Sequence, residues 1–165
     1  MFKKGLHEDY LRSIIFGFQD ALVSTTGVVV GVATGTSDKN IVILAGVVTI
    51  VVEALSMGVG QYMSEKSVHQ LDKTGRHTDN LFIVGILMFL SYFLGGLIPL
   101  APVITMPIAL SSTFSILFAL VGLLVLGFVK AKIVKVDPFK SAFEMFLLGG
   151  VTTAIGLIVG HILKV

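Results

Sequence analysis

Residues 41–63 read IVILAGVVTIVVEALSMGVGQYM, an apolar run with a single charge, Glu53. A helix of about 20 apolar residues covers roughly 30 Å, the hydrocarbon thickness of a bilayer. The run therefore predicts a transmembrane helix. Working outward, stretches of similar length and character occupy 13–36, 80–99, 108–129 and 141–162. Ser37-Asp38-Lys39-Asn40 reads as a tight turn, and Ser64 to Asp79 is a polar connection. Pro99, Pro102 and Pro107 interrupt helical hydrogen bonding between the third and fourth spans. Lys130 to Lys140, containing Asp137-Pro138, precedes the fifth. The expected fold class is all-α: a polytopic membrane protein with five transmembrane helices, forming one membrane domain over 1–165.

Composition agrees. The 165 residues are 55% hydrophobic and 13% charged, whereas a soluble domain carries about 25% charge. Such a mixture cannot coat a core in water. It argues against an ordinary soluble enzyme, a disordered tail and a nucleic-acid binder, and a net charge of +2 is too small to imply a polyanionic partner. Without cysteine there are no disulfides or thiolate ligands. The spans contain no paired histidines, glycine-flanked nucleophile or phosphate-cradling loop, and Gly58-x-Gly60 lies inside a predicted span. An enzyme is not expected.

Lysines and arginines predict the orientation. Lys3, Lys4, Arg12, Lys66, Lys73, Arg76, Lys130, Lys132, Lys135 and Lys140 fall on one side, against Lys39 and Lys164 on the other. The positive-inside rule places the N-terminus in the cytosol and the C-terminus outside. The first 12 residues are too polar, and the first span too long, for a cleaved signal peptide. Five spans do not divide into two inverted halves, so any symmetry of transport requires two chains.

Most of the ten acidic residues lie in loops or near span ends. Asp20 and Glu53 lie deep inside spans, and Glu144 lies one turn into the fifth. A charge at mid-bilayer costs about 2.5–3.5 kcal/mol on insertion scales. At about 1.5 Å per residue, Asp20 lies roughly 12 Å from the cytosolic end of its span. By the same count Glu53 lies roughly 16 Å and Met57 roughly 10 Å from the cytosolic end of theirs. Two carboxylates and a thioether thus reach nearly one level. Helical spacing also puts Gly17, Asp20, Ser24, Gly27, Gly31 and Thr34 on one face of the first span. Gly46, Thr49, Glu53, Met57, Gly60 and Ser64 share a face of the second. These stripes suit close packing around a narrow, hydrated seam.

Each feature has a plainer reading. Glycine ridges more often serve packing alone, a lone methionine is more often filler, and a buried carboxylate can be neutral or hydrogen-bonded on its own face. A membrane scaffold or assembly partner that transports nothing is therefore the alternative function. As an ion site, hard carboxylate oxygens suit magnesium, calcium or manganese, and the softer sulfur tilts the set towards ferrous iron. Low dielectric favours the protonated form of an unpaired carboxylate, which makes metal–proton exchange natural.

The run from Arg12 through Gly17, Asp20, Ser24 and Gly27 to Gly31-Val32-Ala33 resembles the first-helix signature of the vacuolar iron transporter family. Glu53-Ala54-Leu55-Ser56-Met57-Gly58-Val59-Gly60-Gln61-Tyr62-Met63-Ser64-Glu65-Lys66-Ser67 resembles its second-helix signature. The resemblance implies a five-helix homodimer in the bilayer. Its cargo would be ferrous iron, often manganese, leaving the cytosol in exchange for protons along a path lined by the first helices. It assigns ligand roles to Asp20 and Met57, and no permanently bound cofactor. The membrane would be the plasma membrane in a prokaryote or a vacuolar-type membrane in a eukaryote.

The chain departs from the family pattern in three places. Thr49 stands where a glutamate is often found, and Glu53, one turn nearer Met57, stands where the family commonly has a small residue. A ligand role for Glu53 is therefore inferred from its depth and face and is not implied by the resemblance. Gln61 is neutral where many relatives are acidic. The helical metal-binding domain between the second and third spans of well-studied relatives is reduced to a short polar stretch. Within that stretch Glu65, His69 and Asp72 share a face if the helix continues, either as a metal-capture site or as a solvated helix end. Glu144 reads as a headgroup-facing or lysine-paired acid, with a proton relay as the alternative, and Asp20 would carry protons in that scheme. His77 and Asp79 read as loop residues, and His7 and His161 as solvated or interfacial ends.

Overall fold

The computed structural model describes residues 8–36, 38–72 and 80–163. Lys3, Lys4, His7, Ser37, Lys73, Arg76, His77, Asp79 and Lys164, all weighed above, lie outside the described residues. Over these residues the protein has five helices, each long and apolar enough to cross a membrane: α1 Glu8–Gly35, α2 Lys39–Leu71, α3 Leu81–Thr105, α4 Ile108–Val134 and α5 Pro138–Ile162. It is a multi-pass membrane protein. The all-α expectation and the five spans hold, and every helix is longer than its apolar run.

Proline forces one correction. Pro99 and Pro102 were expected to end the third span, yet α3 continues through both to Thr105. Breaking the helix would strand more backbone groups in hydrocarbon than two missing N–H donors do. Ser115 of α4 also donates to the Pro99 carbonyl at 2.6 Å, which ties α4 to this stretch.

The connections are tighter than polarity suggested. Asp38 caps α2 by accepting from the Asn40 N–H at 2.8 Å, so Lys39 and Asn40 are already helical. The 64–79 stretch is helical as far as Leu71. Between α4 and α5, Lys135 adopts the left-handed conformation (φ 62°). Asp137 then caps α5 through the Phe139 and Lys140 N–H groups, with Pro138 at the first helical position, where a missing N–H costs nothing.

Helix α1 is the hub. It packs on all four other helices, whereas α2 packs mainly on α3, and α4 on α5. Leu22, Val29, Ile50, Tyr92, Leu100 and Leu123 are fully buried between them. Lipid is as apolar as leucine, so close fit rather than hydrophobicity must hold such helices together. The α1–α5 contact shows this: Gly27 and Gly31 lie against Gly156 and Gly160, backbone on backbone. Most remaining large apolar side chains point outward, as a bilayer requires.

Candidate ion site

Asp20 projects from the middle of α1 and is half-buried. One turn further on, the Ser24 hydroxyl meets the phenol of Tyr92 from α3 at 2.6 Å. Tyr92 is fully buried and packs with Ala21 of α1 and Ala54 of α2; Met57, Phe89 and Phe93 close over this cluster. Glu53 reaches the same level from α2. Asp20 and Glu53 lie within electrostatic range of one another, and both lie within range of the Tyr92 phenol. Asp20, the Ser24–Tyr92 pair and the half-buried Met57 therefore lie near one another, with Glu53 within electrostatic range from α2.

Glu53 differs from its neighbours because it is exposed. It stands on the outer side of α2 with Gly60, beside which a methyl group would meet open space. Asp20 and Ser24 of α1 are half-buried, and further along the same face Gly27 and Gly31 pack on α5. There Gly27, Gly31, Gly35, Ile41, Gly156 and Gly160 line a groove of about 650 Å³ between the ends of α2 and α5.

Two glycines leave the expected stripes. A Cβ on Gly17 would stand 2.9 Å from the Ser91 side chain, so this glycine faces α3. Gly46 is buried under Leu100 and Val29. Spacing along one helix fixes relative direction but not which neighbour a given turn meets.

At the end of α1 that carries Arg12, the acids are held differently. Arg12 pairs with Asp9 at 2.7 Å and with Glu65 of α2 at 3.1 Å, and Gln61 donates to Glu65 at 3.0 Å. Glu65 therefore turns to Arg12 instead of converging with His69 and Asp72. His69 Nδ1 lies 2.9 Å from the Glu65 carbonyl, and the Asp72 N–H closes α2 on Val68. Among the described residues no three or more His, Asp or Glu side chains converge as a metal-ligand group. Glu144 is exposed on α5 and enters no ion pair among the described residues.

The clamp carries an asymmetric prediction. Asp9 and Glu65 are each 3% exposed, whereas the Arg12 side chain is 60% exposed. Arg12→Gln leaves two desolvated carboxylates facing one another, while Glu65→Gln leaves a hydrated guanidinium still paired with Asp9. Arg12→Gln is expected to cost about 1.5–3 kcal/mol, the scale of hydrogen bonds to charged groups, and Glu65→Gln distinctly less. Thermal unfolding of both variants in detergent measures the difference; equal losses contradict it.

Tyr92 is the participant that the sequence reading missed. Its signal was available, because tyrosines in membrane helices gather at the interfaces. Tyr92 lies 11 residues inside α3, roughly 16 Å deep at about 1.5 Å per residue.

A five-helix membrane domain with two acids, Asp20 and Glu53, inside its spanning segments is the class of protein that the fold defines. The sequence profile of the VIT family matches residues 11–81 and, in an overlapping segment, 69–161. The chain belongs to the VIT family. It is 23% identical to vacuolar iron transporter 1 of Eucalyptus grandis, over 88% of this chain and 83% of the relative. It is 24% identical to vacuolar iron transporter homolog 2 of Arabidopsis thaliana over 88% and 80%, and 27% identical to VIT-like transporter 1b of Glycine max over 86% and 70%. The Eucalyptus alignment extends over 209 residues while using 88% of these 165, so that relative carries residues with no counterpart here.

Proposed function

We infer that this protein transports divalent metal, ferrous iron first and manganese second, out of the cytosol in exchange for protons. The observation that carries the reading is that Asp20 and Glu53 lie within electrostatic range of one another, with Met57 packed against the neighbouring Tyr92 cluster, in a chain of this family. Asp20 and Glu53 supply hard oxygen ligands, Met57 a soft one, and Asp20 takes up the returning proton. The metal is cargo, and no resident cofactor is required.

A single chain offers only two carboxylates on a seam open to one side. A homodimer that apposes the α1–α2 sides of two chains encloses the path and doubles the ligand set. The lysine and arginine distribution puts the N-terminus in the cytosol. The protein then works in the plasma membrane of a prokaryote or a vacuolar-type membrane of a eukaryote.

Purified protein in liposomes is expected to admit Fe²⁺, and Mn²⁺ more slowly, with proton movement in the opposite direction. Vesicles that take up neither metal under an imposed pH gradient overturn the proposal. Met57→Ala keeps both carboxylates and removes the soft ligand. It should lower iron uptake by roughly 10-fold while sparing manganese, following ligand softness. An equal loss for both metals would show that Met57 serves packing around Tyr92 instead.

A further inference from the structure

A second groove lies away from the Asp20 level, between α1 and α4. It has a volume of about 680 Å³ and an almost wholly apolar lining, including Ile14, Phe18 and Leu22 of α1 and Phe118, Val125 and Val129 of α4. Its α4 wall runs from Leu117 to Val129, roughly 18 Å at about 1.5 Å per residue. That is a little over half of the roughly 30 Å hydrocarbon core, the depth of one leaflet.

The helical register decides what stands at the end of this groove. One row of α4 reads Phe118, Gly122, Leu126, Lys130 at steps of four. The neighbouring row reads Val121, Val125, Val129, Ile133, with Lys132 one position before its end. Phe118, Val121, Gly122, Val125, Leu126 and Val129 line the groove, and Lys130 and Lys132 follow within the next turn of α4. Lys132 is steadied by the Phe128 ring, 4.7 Å from its centroid. Neither lysine forms an ion pair among the described residues, and Asp9 of α1 is engaged by Arg12. An apolar channel one leaflet deep, followed by two cations that form an ion pair with no described residue, has the shape and charge of a single lipid's site.

We propose that the α1–α4 groove holds one acyl chain of an anionic phospholipid whose phosphate is received by Lys130 and Lys132. Long apolar side chains at the wall fix the chain, and the two ammonium groups select the headgroup charge. The site is independent of the metal reading and is tested without transport.

Native mass spectrometry of the purified protein, titrated with phosphatidylglycerol or phosphatidylcholine, reads the site directly. The wild type should retain phosphatidylglycerol preferentially. The double variant Lys130→Gln/Lys132→Gln should reduce that retention by about fivefold for each lysine, the scale of basic residues at anionic membrane surfaces, while leaving phosphatidylcholine unchanged. Val125 is 57% exposed, so Val125→Trp fills the groove from its open side without disturbing the core, and retention of both lipids should fall. Lys135 and Lys140, at the α4–α5 corner off these rows, are the controls. Equal retention of the two lipids by the wild type overturns the proposal, as does an equal loss from Lys135→Gln/Lys140→Gln. If Val125→Trp instead dissociates a dimer and leaves lipid retention intact, the groove is an interface between copies and the lipid assignment is wrong.

Discussion

Asp20→Asn is expected to stop metal movement while leaving the protein folded. Asparagine matches aspartate in size and keeps one carbonyl oxygen, so packing beside Ala21 and the Ser24–Tyr92 bond is preserved. The substitution removes the carboxylate within electrostatic range of Glu53 and the group that would exchange a metal for a proton. Changes in groups that merely orient ligands cost roughly 10–100-fold in metal sites, so loss of this carboxylate should exceed about 100-fold in Fe²⁺ uptake by that comparison. Proton flux driven by metal should vanish with it. Relief of the Asp20–Glu53 repulsion, together with a lower desolvation cost, predicts unchanged or raised thermal stability without metal. A variant that is stable and inactive supports the transporter. A variant that transports normally but loses co-purifying partners would favour the scaffold alternative.

Gly156→Leu should have a large effect on the fold. A Cβ at Gly156 would stand 2.6 Å from the Gly27 carbonyl oxygen, and that obstacle is backbone, which cannot rotate away as a side chain tip can. Even Gly156→Ala forces α5 off α1 and should cost about 1–3 kcal/mol, as overpacking does. Leucine should detach α5 from the hub helix and abolish recovery of monodisperse protein. Gly150 is the control on the same helix. A Cβ there meets nothing within 4 Å, so Gly150→Ala should be neutral or stabilising by up to about 1 kcal/mol through helix propensity. Thermal unfolding of the three variants in one detergent settles the comparison. Similar midpoints for Gly150→Ala and Gly156→Ala would mean that the α1–α5 backbone contact contributes little.

Much of this architecture was legible in one chain because lipid simplifies the problem. Every spanning segment must satisfy its own backbone, so apolar length alone locates a helix. The fixed rise of that helix converts residue number into depth. The five spans follow from those two rules, and so does the expectation that Asp20, Glu53 and Met57 share a level. The same rules misplace α3's end, since the cost of stranding backbone in hydrocarbon outweighs the local penalty of Pro99 and Pro102. They also cannot tell that Glu65 would be claimed by Arg12, 53 positions away, rather than by His69 on its own helix.

The sequence by itself determined that this protein lives in a bilayer and how many times it crosses. Only the tertiary structure decided what its acids meet. Periodicity orders the faces of one helix but leaves open which other helix packs on each face. That choice rests on backbone fit between distant segments, which buries Gly17 and Gly46, brings Tyr92 to Ser24 and leaves Glu53 on the open side of α2.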